Sequence, residues 1–159
     1  MKHTISVIVE NKSGVLSRVA GLFARRGFNI ESLAVGVTEN PDISRMTIVA
    51  EGDERDLEQI IQQLYKLIDT IRVFDLPRDA SIERELALIK VLANEKTHKE
   101  IAEIAEMFAA RIIDVTEGHI IIEISGEDGK VEAIENLLKK YGIKEMVRTG
   151  KIALQRGGI

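Results

Sequence analysis

One loop of the sequence carries residues that could bind a small anion. It reads Asn11-Lys12-Ser13-Gly14 and is followed by apolar residues at helical spacing, which predicts a turn from a strand into a helix. The first backbone N–H groups of a helix lack partners inside the helix, and the helix dipole is positive at that end. Gly14 has no side chain to keep a ligand away from these groups. The loop therefore predicts a site for a carboxylate or a phosphate.

A zwitterionic amino acid would suit such a loop if an acceptor for its ammonium group lay nearby. Asn29, at the start of the predicted second strand, can accept and donate hydrogen bonds. We expect Asn29 and Ile30 to lie beside the loop in the same copy or to face it across a dimer. Val15, Leu16 and Ile30 could then form an apolar wall for a branched side chain. Turn preferences alone favour a simpler interpretation, in which Gly14 and Asn29 are ordinary turn residues.

The sequence shows no pattern typical of an enzyme. It has no cysteine, and its three histidines, His3, His98 and His119, lack the spacing of metal ligands on one helix face. The motifs G-x-G-x-x-G, G-x-S-x-G and H-E-x-x-H and the P-loop motif do not occur. The sequence therefore predicts a chain that catalyses nothing on its own and binds no metal.

The composition of the chain limits which partners it is expected to bind and in which compartment it is expected to work. The chain has 159 residues, of which 45% are hydrophobic, enough to fold without disulfides. Its net charge is −4 and its basic residues are scattered, which argues against nucleic acid and anionic membranes. The apolar runs are shorter than the roughly 20 residues of a membrane-spanning helix, and the start does not resemble a signal peptide. We expect a cytoplasmic protein.

Hydrophobic periodicity in the first half of the chain predicts the order strand, helix, strand, strand, helix, strand. Ser13 is the predicted N-cap of the first helix, and Gly27 is its predicted end. The predicted strands span residues 4–10, 29–38, 43–51 and 70–76, and the predicted helices follow Ser13 and Gly52-Asp53. This βαββαβ order is that of a ferredoxin-like unit, an antiparallel sheet with both helices on one face.

The same order is predicted again after a polar segment at residues 77–81. The apolar stripes of the second helix in each half correspond, with Leu57, Ile60 and Leu64 matched by Val131, Ile134 and Leu138. The sequence thus predicts an α+β chain of two tandem ferredoxin-like domains, residues 1–77 and 78–159. The last extended segment is predicted at residues 143–154.

The loop also lies in a longer string that resembles a known family. The string comprises Glu10-Asn11-Lys12-Ser13-Gly14-Val15-Leu16, Asn29-Ile30-Glu31-Ser32-Leu33 and Ser44-Arg45-Met46-Thr47-Ile48. It resembles the regulatory (small) subunits of acetolactate (acetohydroxyacid) synthase. A strand followed by E-N-x-S-G-x-L and an apolar helix is similar to ACT domains, which sense amino acids.

The resemblance implies a site and a set of partners. It implies that the first domain pairs with another copy and binds valine at the interface, through positions matching Asn11, Gly14, Val15, Leu16, Asn29 and Ile30. It also implies a large catalytic subunit of branched-chain amino acid biosynthesis. That subunit, and not this chain, would hold thiamine diphosphate, magnesium and FAD. The small subunit would raise its activity and make it inhibitable by the end product.

Two other functions are considered as alternatives to this one. An acylphosphatase-like enzyme would use the same fold and hold phosphate in this loop with an arginine and an asparagine. Arg18 lies on the helix after the loop, but the loop lacks the glycine-rich, arginine-bearing cradle. An ACT-type transcription regulator would need a basic DNA-binding surface that the sequence does not show.

The turn of the second repeat that corresponds to the Gly14 loop, residues 93–97, has no glycine. We therefore expect residues after about 80 to serve dimer contacts or the catalytic subunit.

Overall fold

The computed structural model describes residues 1–157 and confirms the predicted α+β fold. The first six elements are β1 (Lys2–Glu10), α1 (Val15–Arg25), β2 (Asn29–Val37), β3 (Ile43–Glu51), α2 (Glu54–Tyr65) and β4 (Thr70–Asp75). Their strands form one antiparallel sheet in the order β2-β3-β1-β4. No helix in residues 1–157 is long and apolar enough to span a membrane.

Alternation along β1 decides which face of this sheet is buried under the helices. Ile5, Val7 and Val9 point into the core and pack with the apolar stripes of α1 and α2, since successive side chains of a strand face opposite sides. The helix residues in this core are Val15, Val19, Leu22, Phe23, Leu57, Ile60 and Leu64. The two helices therefore lie on the same face, and the turn after β1 opens at one end of the sheet.

The second set of elements repeats this order. It comprises β5 (Ser81–Leu92), α3 (His98–Met107), β6 (Arg111–Thr116), β7 (His119–Gly126), α4 (Lys130–Leu138) and β8 (Ile143–Arg148), followed by β9 (Ile152–Gln155). The strand order is β6-β7-β5-β8, and β9 pairs with β5. The final predicted segment, residues 143–154, is thus two strands rather than one.

The two repeats match in their irregularities as well as in their order. The pairing of β1 with β4 shifts register between Ile8 and Val9, and that of β5 with β8 shifts between Lys90 and Val91. A second shift follows Ile30 in β2 and Ile112 in β6. Corresponding positions of the two repeats can therefore be compared residue by residue.

Packing places the boundary between the two compact units near residue 82. One unit comprises Met1–Ile82 and the chain from Lys151 onward, and the other is Glu83–Gly150. The backbone N–H of Lys151 donates to Ser32 Oγ at 2.8 Å, and that of Arg156 donates to the Ala80 carbonyl at 2.7 Å. The C-terminal segment thus returns to the first unit, which the predicted division at 77/78 did not anticipate. The predicted linker at 77–81 is a short 3-10 turn that leads into β5.

Candidate functional site

The N-terminus of α1 is left open by its own sequence. Gly14, not Ser13, is the N-cap, with φ +85° and ψ −9°, and within residues 1–157 no side chain caps it and no acidic residue lies in its first turn. The predicted cap at Ser13 is therefore wrong, because a glycine enters this left-handed conformation without steric cost and the helix starts one residue later. The first turn of α1 therefore supplies no carboxylate to compensate the positive end of the helix dipole.

The other helix of this unit shows what full compensation looks like. Asp53 caps α2, accepting from the Asp56 backbone N–H at 2.8 Å, while the Asp56 carboxylate accepts from the Asp53 N–H at 3.0 Å. The hydrogen bond from the Asp56 N–H lowers the pKa of the Asp53 carboxyl. A carboxylate is thus stabilised at the α2 N-terminus, and at α1 that position is open to a ligand.

Four of the six predicted site residues surround this open helix start. The Asn11 Nδ2 donates to the Pro41 carbonyl at 2.9 Å, which ties the loop to the turn between β2 and β3. Val15 is only 3% exposed and belongs to the core, so its side chain is not available to a ligand. Its backbone N–H donates to the Lys12 carbonyl at 3.4 Å. Leu16 is 44% exposed and presents an apolar surface beside Gly14.

The remaining two residues lie at the other end of the sheet. Asn29 pairs with Glu51, which in turn pairs with Lys2 at the beginning of β1. The loop follows Glu10 at the end of β1, about 26 Å from that level at the usual rise per strand residue. Ile30 lies next to Asn29 and packs partly against the core. The expectation that Asn29 and Ile30 could lie beside the loop within one copy is therefore wrong.

The structure adds Asp69 to this site and gives Arg18 a partner that the sequence did not indicate. Arg18, in the first turns of α1, donates from Nε and Nη2 to Asp69 Oδ2 at 2.9 and 2.6 Å. The Asp69 side chain, in the turn between α2 and β4, is 7% exposed. Its backbone carbonyl also accepts from the Glu10 N–H at 2.9 Å, so the same turn holds the end of β1. No periodicity links residues so far apart in sequence.

Arg18 lies directly over the open helix start. A Cβ built on Gly14 would be 3.1 Å from Arg18 Nη1. Two of the three guanidinium nitrogens donate to Asp69, which fixes the orientation of Arg18. The side chain is 48% exposed, so a molecule arriving from solvent can reach it.

The matching position in the second repeat has the opposite charge. The register shift after Ile8 in β1 corresponds to the shift after Lys90 in β5, and at the same distance from it Arg18 corresponds to Glu100. The Glu100 Oε2 accepts from the Tyr141 hydroxyl at 2.9 Å. Gly142 corresponds to Asp69 by its backbone hydrogen bond. The Gly142 carbonyl accepts from the Leu92 N–H at 2.8 Å, just as the Asp69 carbonyl accepts from the Glu10 N–H. The turn itself is closed by Asn94, whose Oδ1 accepts from the N–H groups of Lys96 and Thr97. Asn94 thus closes the turn before α3, and Glu100 places a carboxylate in the first turn of that helix, which disfavours an anion there.

His3 takes no part in this site. His3 Nε2 lies 3.1 Å from the Gly52 carbonyl, at the far end of the first sheet. Among the residues that the structure describes, no group of three or more His, Asp or Glu side chains is placed to hold a metal ion.

The βαββαβ unit is the fold of an ACT domain, and a family model for the AHAS small subunit-like ACT domain matches residues 5–72, which makes this chain an ACT-domain protein. A second model, the small subunit of acetolactate synthase, matches residues 84–157. The chain belongs to the family of acetolactate synthase small subunits.

Individual relatives agree over almost their whole length. A protein of Archaeoglobus fulgidus described as a probable acetolactate synthase small subunit is 58% identical over 157 residues, which cover 99% of this chain and 98% of that protein. The acetolactate synthase small subunit of Mycobacterium leprae is 50% identical over 155 residues, covering 98% and 92%. The crystal structure of the small subunit from Thermotoga maritima superposes with a TM-score of 0.94 at 43% identity, covering 100% and 99%.

Proposed function

We propose that this chain is the regulatory, non-catalytic subunit of an acetolactate synthase and that it senses valine. The observation that carries the proposal is the open N-terminus of α1 at Gly14 in a chain of this family. A free amino acid carries the carboxylate that such a helix start favours. The uncapped geometry supports an anion, and the family supports an amino acid as its source.

The six residues can be assigned parts of the effector. The carboxylate would accept from the backbone N–H groups of Gly14 and Leu16. The N–H of Val15 already donates to the Lys12 carbonyl at 3.4 Å. The ammonium would donate to Asn11 Oδ1, because Nδ2 is already engaged with Pro41, and to Asn29. Leu16 and Ile30 would line the branched side chain, whereas Val15 is committed to the core.

Asn29 and Ile30 can join this site only from a second copy. Strand β2 is an edge of its sheet, and along it Val35 and Val37 are exposed. Edge strands present unpaired backbone groups to a second strand. If two β2 strands pair antiparallel about a two-fold axis, the Asn29 of each copy lies beside Val37 of the other, at the loop end of the sheet. A homodimer through the ACT domains would thus complete two symmetric sites.

Catalysis would belong to a separate large subunit. We expect thiamine diphosphate, magnesium and FAD to be held by that subunit and none of them by this chain. The large subunit would condense two pyruvates, or pyruvate with 2-oxobutanoate, for branched-chain amino acid biosynthesis. Valine would act through a coupling free energy between the small-subunit site and the catalytic site.

Two measurements test the proposal. Calorimetry on the chain should show valine binding well above that of glycine or aspartate, which lack a branched apolar side chain. Co-purification with the large subunit should raise acetolactate formation, and valine should then lower it. If calorimetry detects no preference for valine, the proposed sensing role is wrong. If the chain does not change acetolactate formation by the large subunit, the proposed regulatory role is wrong.

A further inference from the structure

Arg18 is held where it can bind a ligand at Gly14 but has no partner there in the chain. Its Nε and Nη2 are bound to Asp69, while Nη1 lies 3.1 Å from the position of a Cβ on Gly14. Between residues 1 and 157, Nη1 donates no hydrogen bond. The guanidinium therefore has one nitrogen directed at the open helix start and two that fix its position.

This arrangement is unfavourable for the helix alone. A cation near a helix N-terminus is repelled by the dipole, which favours acidic residues there. Asp69 compensates the charge of Arg18 from one side, but it does not cap the N–H groups of α1. An anion between Nη1 and those N–H groups would satisfy both, and hydrogen bonds between a guanidinium and a carboxylate are among the strong ones in proteins.

The second repeat provides an internal comparison. There the fold, the bulge and the strand–helix turn recur, yet the helix position of Arg18 carries Glu100 and the turn closes on Asn94. The cation thus occurs in the repeat whose first helix has no acidic residue in its first turn, and the other repeat carries a carboxylate at the same position. Packing of the fold does not require an arginine at this position.

We infer that Arg18 contacts the carboxylate of the effector and makes the site selective for free α-amino acids over their amides or esters. Asp69 is the positioning residue that orients Arg18. This inference rests on the proposed function, that the loop binds valine, and adds the group that recognises the carboxylate.

Valine and valinamide separate this role from a structural one. The two ligands share the ammonium group and the side chain, and only valine carries the carboxylate. Calorimetry on the wild-type chain should show valine binding about 10- to 100-fold tighter, the range expected for a charge-assisted hydrogen bond. In R18Q this preference should fall by about tenfold or more, with valinamide affinity little changed.

Two further variants keep the test sound. R18Q leaves the Asp69 carboxylate buried without its cation, so R18Q/D69N, which removes both charges, serves where R18Q does not fold. R25Q is the matched control, because Arg25 lies on the same helix with Nη1 3.3 Å from a Cβ built on Gly21, away from the loop. It should keep the wild-type preference.

The outcomes distinguish the two claims. A wild-type chain that binds neither ligand contradicts the proposed function and the inference with it. A wild-type chain that binds valine, together with a folded R18Q/D69N variant that still discriminates valine from valinamide as strongly, overturns the inference alone. Circular dichroism melting identifies the variants that are folded.

Discussion

Gly14 and Asn29 lie at opposite ends of the first sheet, although the sequence places them only one helix apart. Asn29 is level with Lys2 through their shared neighbour Glu51, and Gly14 follows Glu10 at the other end of the same strand. A ligand as small as valine cannot span that length. If both residues bind it, each must come from a different copy of the chain.

Complementation between two defective variants should therefore restore binding. Gly14→Asp and Asn29→Ala should each abolish valine binding as homodimers, since each damages one half of every site. A heterodimer of the two contains one site with both defects and one with neither. Co-expression with two affinity tags, followed by calorimetry on the doubly purified species, should show one binding site per dimer.

The same heterodimer separates this arrangement from a site built within one copy. Sites contained in single chains would all carry one defect, and mixing would restore nothing. Absence of binding in a heterodimer of native size would therefore contradict the shared site.

Glycine at position 14 is expected to matter for binding and not only for folding. Gly14→Ala places a Cβ 3.1 Å from Arg18 Nη1 and forces an L-residue into a left-handed conformation, at about 1–2 kcal/mol. Gly129 is a matched control, because it is the N-cap of α4 with φ +87° and its Cβ would meet nothing within 4 Å. Both variants should lose similar stability in urea unfolding, and only Gly14→Ala should weaken valine binding. Equal affinity in the two would show that the ligand does not approach Gly14.

Local signals were sufficient to predict most of the fold. The stripe from Leu57 to Leu64 and the cap at Asp53 agree, so α2 was identified with its start. The predicted start of α1 at Ser13 is wrong by one residue. The positive φ of Gly14 decides where α1 begins, and a sequence does not show which residue of a turn adopts a positive φ. The return of Lys151 to Ser32 depends on packing between distant segments, which periodicity does not encode.

The candidate site was predicted in part for the same reason. Asn11, Gly14 and Leu16 are neighbours in sequence, and their chemistry could be derived from the strand–helix turn alone. Arg18 and Asp69 come into contact only after α2 folds back onto the sheet. Their ion pair depends on tertiary structure, and local sequence patterns do not predict it. The register that separates Asn29 from the loop required the order of four strands.

The exposed edge of β2 predicts a dimer that a single charge can break. Val35 is 46% exposed in one copy and, in the pairing that places Asn29 beside Val37, would lie opposite Glu31 of the other copy. Val35→Asp would place a carboxylate opposite Glu31 at both symmetric positions, so we expect the dissociation constant of the dimer to rise at least about tenfold. Analytical ultracentrifugation measures this change, and valine affinity should fall with it.

The corresponding edge of the second repeat supplies the control. Val115 lies on β6, the equivalent edge strand, and is 53% exposed. Val115→Asp should leave the dimer of the first unit intact. Dissociation by Val115→Asp and not by Val35→Asp would place the principal dimer contact in the second unit instead.

An ion network in the second unit should make its stability depend on pH. Arg148, at the end of β8, donates from Nε to the buried carboxylate of Glu85 and from Nη2 to Glu132 Oε1 at 2.6 Å. The hydrogen bond from Arg148 lowers the pKa of Glu132 below its ordinary value of 4.5. The folded unit thus holds this proton less tightly than the unfolded chain does. The stabilisation is present above the ordinary value and is lost as the pH falls through the lowered one.

Glu132→Gln should therefore reduce the loss of stability on acidification between about pH 5 and pH 3, by about 0.5–1 kcal/mol for a partly exposed pair. Hydrogen exchange of the β5 and β8 amides reports on this unit without interference from the first. Glu135→Gln is the matched control on the same helix, since in residues 1–157 its carboxylate forms no ion pair, and it should keep the wild-type pH dependence. Arg148→Met should be more damaging at neutral pH, by about 3 kcal/mol, because it leaves the Glu85 carboxylate buried without a cation. If Glu132→Gln and Glu135→Gln respond to acid alike, the bond to Arg148 does not contribute to stability, and Glu132 is only a surface residue that Arg148 happens to reach.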